Sequence, residues 1–195
     1  MEFLGKVLMP SSSGQNILIL KLDHNPIGSE GFNMLARGLS MNKTIKALSL
    51  TYCNIGDPAC LAIQEFLLYQ ASTMIEFNLS GNEITNEGIV EVFRGLAVAK
   101  SLTKIYLAAM QWTDEEEVLE AMHHCMTKNK LLIRYDFKNN QITDDGIFRI
   151  CEILGDSPHV VEVEVPPWIE QETLNALKEA IAKNKPGKGK KKKKK

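Results

Sequence analysis

At 195 residues, 44% of them apolar and with a formal net charge of −1, the chain is sized for a single elongated domain with a core of ordinary volume. That charge hides an imbalance: residues 1–182 hold 14 Lys and Arg against 24 Asp and Glu, ten negative charges in excess, and residues 183–195 add nine lysines. An acidic body argues against nucleic acid lying along it; the N-terminus MEFLGKVLMPSSSG lacks the basic-then-apolar order of a secretory leader and no stretch approaches ~20 apolar residues, so neither secretion nor a membrane span is expected.

Residues 1–16 precede the first predicted strand. From residue 17 the chain repeats itself. Apolar pairs two residues apart fall at Leu20/Leu22, Leu48/Leu50, Phe77/Leu79, Ile105/Leu107, Tyr135/Phe137 and Val163/Val165, at intervals of 28, 29, 28, 30 and 28 residues. Three places before each pair stands another apolar residue: Ile17, Ile45, Met74, Leu102, Leu132 and Val160. Five places after the first member come Asn25, Cys53, Asn82, Met110, Asn140 and Trp168, and seven after it Ile27, Ile55, Ile84, Trp112, Ile142 and Glu170.

A period of this length marks a unit that cannot bury its apolar face alone and must stack on its neighbours. Alternation within each pair predicts a strand with both apolar side chains on one side, between a parallel sheet and the helices behind it. The short polar residue at the fifth place suits a tight turn whose buried amides need partners. Asn serves best there, and the thiol of Cys53 is a small substitute.

The segments LILKLDHNPIGSEG, KALSLTYCNIGDPA, EFNLSGNEITNEG and IRYDFKNNQITDDG resemble the leucine-rich repeat, of the 28–29-residue type found in ribonuclease inhibitor and related in style to Ran GTPase-activating protein, tropomodulin and intracellular immune receptors. The resemblance covers about residues 17–182. It implies an α/β solenoid, a horseshoe arc of about six repeats with parallel strands on the concave face and helices on the convex face.

Two repeats depart from the pattern. With Met110 and Trp112 in place of the usual Asn and Ile, the fourth turn is expected to be altered; a protruding Trp112 would mark a contact site and a buried one packing. In the last repeat Pro166 and Pro167 stop the strand, which suits a terminal cap with a final helix over about 172–182. Helix starts are predicted at Thr85, Thr113 and Thr143, each followed by acids that complement the helix dipole; Glu115, Glu116 and Glu117 are then a solvated first turn. The open edge of the first strand is an association hazard, and either residues 3–9 fold over it or another protein does.

Chemistry is hard to find. His123, His124 and Cys125 are consecutive on a predicted helix, where neighbours point about 100° apart and cannot converge on one metal ion, so Cys125 is expected in the core and the histidines in water. His24 sits in a strand-to-turn position as a solvated loop residue, and no His neighbours Tyr52 and Cys53 in their repeat to build a nucleophile and base. The four cysteines, with no CxxC pair, are read as free thiols in a reducing compartment. No phosphate-binding glycine loop or HExxH occurs; no catalytic, cofactor or metal site is expected, and no enzyme activity.

What remains is surface. Strand residues opposite the buried pairs should line the concave face, from Ile19, Lys21 and Asp23 through Ala47, Ser49 and Thr51 to Glu162 and Glu164. Its middle supplies the candidate protein-binding residues Glu76, Asn78, Lys104, Tyr106, Arg134, Asp136 and Lys138, an aromatic among charges of the kinds enriched at hot spots. Segment 183–195 has no apolar residue and should be disordered. Its Lys188, Lys190, Lys191, Lys192, Lys193, Lys194 and Lys195 are candidates for a polyanion, whether an acidic protein tail such as tubulin's, nucleic acid or an importin, against the alternative of an inert solubilising tail. The resulting expectation is a non-catalytic, cytoplasmic protein-binding scaffold, a subunit of a cytoskeletal or axonemal (cilium or flagellum) assembly, organised as an N-terminal segment 1–16, a repeat domain 17–182 and a tail 183–195. Two alternatives stay open: a regulator, activating or inhibiting, of a small GTPase or nuclease, and a nuclear adaptor directed by the tail.

Overall fold

Each of the six apolar pairs lies on or just after a short strand, and the stretch behind it rises as a helix. In the computed structural model, which describes residues 2–9, 16–69 and 73–184, the strands are β1 Ile19–Lys21, β2 Ala47–Ser49, β3 Glu76–Asn78, β4 Lys104–Tyr106, β5 Arg134–Asp136 and β6 Glu162–Glu164. The helices are α1 Glu2–Val7, α2 Gly28–Met41, α3 Cys60–Tyr69, α4 Asn86–Leu96, α5 Glu116–Lys128, α6 Asp144–Gly155 and α7 Gln171–Asn184, with a 3-10 turn Asp57–Ala59 ahead of α3. The sheet is parallel in the order β1-β2-β3-β4-β5-β6.

Between sheet and helices runs one apolar core. Its aromatic members meet edge to face, Phe32 to Phe66 to Phe77 at one end and Phe93, Trp112 and Phe137 at the other, with ring centroids 5.3–6.3 Å apart. Such contacts add ~1 kcal/mol per pair beyond the area they bury. Leu20, Leu22 and Val165, in the outermost repeats, are only half-buried because each lacks a neighbour on one side.

Side-chain amides stitch the turns. Asn82 donates to the carbonyls of Leu50 and Leu79 at 2.8 and 2.6 Å and accepts from the amides of Cys53 and Ile55 at 3.0 Å each. Asn140 does the same for Leu107, Phe137 and the amide of Met110, and the Cys53 thiol donates to Leu22. The expected alteration of the fourth turn does not occur. His24, Tyr52, Gly81, Ala109 and Asn139, each four places after the first apolar residue, all take left-handed backbone with φ of 52–73°, so the Met110 turn keeps the common path. Trp112 is fully buried and therefore packing; its indole N–H donates to Leu107 at 3.4 Å, the equivalent of the carbonyls that Asn82 and Asn140 satisfy in their own repeats.

A second ladder joins the helix starts. Ser29, Asp57, Asn86, Asp114 and Asp144, nine places after the first apolar residue, reach the next repeat at Gly56, Thr85, Thr113, Thr143 and Glu170, accepting from each backbone amide at 2.7–3.3 Å. This changes the role of the predicted caps. Only the Thr143 hydroxyl caps its own helix, accepting from Gly146; that of Thr85 donates to Asp57 at 2.5 Å. Thr113 is no helix start at all, because the two extra residues of the 30-residue repeat lie before α5 and push its N-cap to Glu115.

At the N-terminus α1 continues the helix layer and packs on α2. The approach needs glycine: a Cβ on Gly38 would sit 2.0 Å from the Gly5 carbonyl oxygen. Leu8 is fully buried and its carbonyl accepts from Asn42 at 2.9 Å. Residues 2–9 therefore do not fold over the β1 edge, and among the described residues no strand pairs with that side. At the other end α7 runs to Asn184, two residues beyond the predicted end, where the side-chain amide donates to Leu154, Ser157 and Val160 at 3.1 Å each. The lysine run beyond it lies outside the described residues.

Candidate protein-binding face

Strand register sets the concave face out as a grid. One row reads Ile19, Ala47, Glu76, Lys104, Arg134 and Glu162; the next reads Lys21, Ser49, Asn78, Tyr106, Asp136 and Glu164. The seven residues singled out in the sequence are thus brought together, six in adjacent columns of these rows and Lys138 directly beyond Asp136. Lys188 and Lys190 to Lys195 are outside the described residues.

Bringing charges together also pairs them. Lys104 is bonded to Glu76, Arg134 Nε lies 3.2 Å from Glu162, and Lys138 contacts Glu164 and, at 3.4 Å, Asp136. Burial raises the Asp136 carboxyl above its ordinary value, outweighing the bonds and charge of Lys138. Lys138 is held above its own ordinary value, chiefly by its bond to Glu164. Exposed pairs of this kind contribute little stability, about 0–1 kcal/mol each; their effect is to spend charges that the isolated sequence presents as available.

The β1–β2 end is different. Small residues Ala47 and Ser49 form the floor of a hollow of about 200 Å3, walled by Ile19 and Lys21 on one side and Glu76, Asn78 and Tyr106 on the other. Asp23 accepts from the Oγ of Ser49 in that floor at 2.6 Å and from the Thr51 amide at 2.9 Å. Its carboxyl sits below the ordinary value: burial pushes it up, but the bonds from Ser49 and Thr51 and the nearby Lys21 charge together prevail. Sequence reasoning placed these residues on the face without seeing the hollow; the signal was the run of small residues Ala47, Ser49 and Thr51 between bulkier columns. Beside it the rings of His24 and Tyr52 stack at 5.1 Å, and Gly81 leaves room for Tyr52, since a Cβ there would meet the ring at 2.4 Å.

Cys53, Cys60 and Cys125 are buried free thiols, and burial pushes Cys60 and Cys125 up to about 12, far from the thiolate that nucleophilic chemistry requires. Cys151, also free, is only half-buried. His123 and His124 are exposed, the former 3.0 Å from Asp156. Among the described residues no cluster of three or more His, Cys, Asp or Glu could hold a metal ion, and no helix is long and apolar enough to cross a membrane.

Known proteins share both the pattern and the fold. A family described as Leucine Rich repeat matches residues 42–63 and 70–93, the two repeats whose ladder residues are Cys53 and Asn82. Mouse ribonuclease inhibitor is 29% identical over 114 residues, 57% of this chain and 25% of that protein. The chain is a leucine-rich repeat protein of the ribonuclease-inhibitor-like type. Human NACHT, LRR and PYD domains-containing protein 13 is 28% identical over 152 residues, 76% of this leucine-rich repeat chain and 14% of its own length. The chain therefore spans a quarter or less of these curated relatives. Among solved structures, leiomodin-1 actin-binding site 2 superposes with a TM-score of 0.57 at 15% identity, covering 92% of this chain and 86% of that one. The tropomodulin C-terminal domain of Caenorhabditis elegans gives 0.55 at 12% identity, covering 94% and 92%. These superpositions extend over nearly the whole repeat array and bear on its fold.

Proposed function

We propose that this leucine-rich repeat protein is a non-catalytic scaffold that binds a protein partner through its concave sheet and works within a cytoskeletal assembly. The observation that carries the reading is the grid itself: six parallel strands present side chains in two fixed rows, with Tyr106 among charges and a hollow beside it. A rigid, aromatic-centred face of this kind is suited to protein recognition. In this reading residues 17–182 form the binding domain, Glu76, Asn78, Lys104, Tyr106, Arg134, Asp136 and Lys138 contact the partner, and the lysines of segment 183–195 add an electrostatic hold on an acidic surface. Support for the cytoskeletal placement comes from leiomodin-1, whose superposed segment is by its description an actin-binding site; tubulin and an axonemal setting belong to the same proposal through the acidic tails that a lysine run would engage.

The test is co-sedimentation of the full chain with actin filaments and with microtubules across a salt series, beside a chain ending at Asn184, which keeps the close of α7, and a Tyr106→Ala, Arg134→Ala chain. Binding that survives salt and tail removal but is lost in the double variant supports the concave face. Binding that follows the tail and vanishes with salt makes the repeats a passenger. Failure to sediment with either polymer overturns the cytoskeletal placement.

A second reading, regulation of a nuclease or small GTPase, draws on the similarity to ribonuclease inhibitor and to the Rho GTPase-activating protein gacW of Dictyostelium discoideum, 22% identical over 168 residues. It predicts that the purified chain changes the rate of a ribonuclease or Rho-family GTPase, and that the double variant does not. Nuclear direction by the tail, the third reading, would appear as nuclear accumulation lost on removing residues 183–195.

A further inference from the structure

The hollow over β2 has donors and little to receive from them. Glu76 is taken up by Lys104, and Asp23 by Ser49 and Thr51. Asn78 spends its side-chain oxygen on the Ser80 amide at 2.9 Å, which leaves its NH2 group over. Among the described residues no hydrogen bond or close ion pair engages Lys21 Nζ, whose charge acts on Asp23 at longer range, and no hydrogen bond engages that NH2 group or the Tyr106 hydroxyl; all three residues line one 200 Å3 space. The other wall is apolar: Ile19 is 62% exposed, and Ala47 beside it is too small to cover it.

An arrangement of unspent donors beside bare apolar surface selects a ligand with an acceptor next to a hydrocarbon group. Positive charge at Lys21 favours an anionic acceptor, and a carboxylate held by a cation and neutral donors makes the stronger, charge-assisted kind of hydrogen bond. Ile19 and Lys21 are two residues apart on one face of a strand. Their spacing, ~6.6 Å, is that of side chains two apart on any extended chain, so a partner lying along β2 meets both with residues i and i+2.

Resting on the concave-face reading above, we propose that this hollow is the specificity site of the scaffold, taking an extended partner segment that carries an apolar residue two positions from an Asp or Glu. The apolar side chain covers Ile19 and Ala47, and the carboxylate is held by Lys21, with Asn78 and Tyr106 as the neutral donors. The paired charges of β5 and β6 lie outside the contact that sets specificity.

The probe is the peptide acetyl-Ser-Leu-Ser-Glu-Ser-amide, titrated into the isotope-labelled full chain at low salt and followed by NMR, beside versions with Gln or Lys in place of Glu. The expected result is saturable shifts centred on β1 to β3, with a dissociation constant on the order of 1 mM for so small a ligand. The Glu peptide should bind at least about fivefold tighter than the Gln peptide, and the Lys peptide should not bind. Lys21→Glu, an exposed change that leaves the fold alone, should reverse the preference in favour of the Lys peptide, and Ala47→Leu should fill the hollow and abolish binding. No saturable shift, shifts centred on β5 and β6, or equal affinity for Glu and Gln overturns the proposal. If the peptides fail while the Arg134→Ala chain still loses its polymer, the concave face stands and only this site falls. If concave substitutions affect neither, the scaffold reading falls as well.

Discussion

The two ends of the concave sheet were built from the same repeat, yet they differ in what their side chains have left to offer. From β3 to β6 the cations are engaged by neighbours across the strands, Lys104 by Glu76, Arg134 by Glu162 and Lys138 by Glu164, with Asp136 of its own repeat beside it. Over β1 and β2 the anion Asp23 is consumed by local bonds, while Lys21, beside exposed Ile19, acts on Asp23 through its charge but makes no hydrogen bond or close ion pair among the described residues. The lesson is that a concentration of charge along a surface is not a concentration of available charge, because fixed parallel register brings opposite signs within reach of each other.

The contrast can be broken from beneath. Asn82→Ala strips the turn under the β2–β3 floor of four hydrogen bonds and leaves buried backbone groups unpaired; a loss of about 3 kcal/mol is expected from urea unfolding, with peptide and partner binding lost before the β5–β6 end melts. A next step acts at the rim. Gly81→Ala combines a left-handed backbone, φ 73°, with a Cβ that meets the Tyr52 ring; about 1–2 kcal/mol should be lost, with Tyr52 displaced from His24 and its amide shifts moved.

The two aspartates sharpen the comparison directly. Asp23 has its carboxyl lowered, so its stabilising effect is present above the ordinary value of 3.8 and is lost as pH falls through the folded value. Asp136 is raised, so its ionised form is disfavoured by folding and the stability tied to it is lost as pH rises through the folded value. Asp23→Asn should therefore lower stability at pH 7, by less than about 1 kcal/mol for so exposed a group, with the deficit closing toward pH 3. Asp136→Asn should cost less at pH 7 than Asp23→Asn. Equal deficits at pH 7 would remove the distinction between the two ends. The smallest effect is expected for the exchange of Glu76 and Lys104 to Ala in a double-mutant cycle, with a coupling of about 0.5 kcal/mol that fades in high salt.

Most of the scaffold was legible because a repeat states its rule six times. Leu48, Phe77, Ile105 and Tyr135 are buried on strands in register, as alternation required. The ladder of Ser29, Asp57, Asn86, Asp114 and Asp144 stands at an equally fixed place but escapes a reading of the sequence that explains Thr85, Thr113 and Thr143 locally, as helix starts followed by acids. The Met110 turn went wrong for a related reason: a missing Asn was taken as a missing function, whereas Trp112 supplies an N–H from two residues further along.

Sequence alone determined the number of strands, their order, the buried face and the row in which each exposed side chain stands, since period and alternation are properties of the chain and stacking has one way to satisfy them. Tertiary structure alone decided which charges pair, where α1 lies and that a hollow opens over Ala47 and Ser49. Those outcomes depend on distances of a few ångströms between side chains from different repeats, such as the Gly5 and Gly38 contact that fixes α1 against α2, and no spacing along one strand of sequence encodes them.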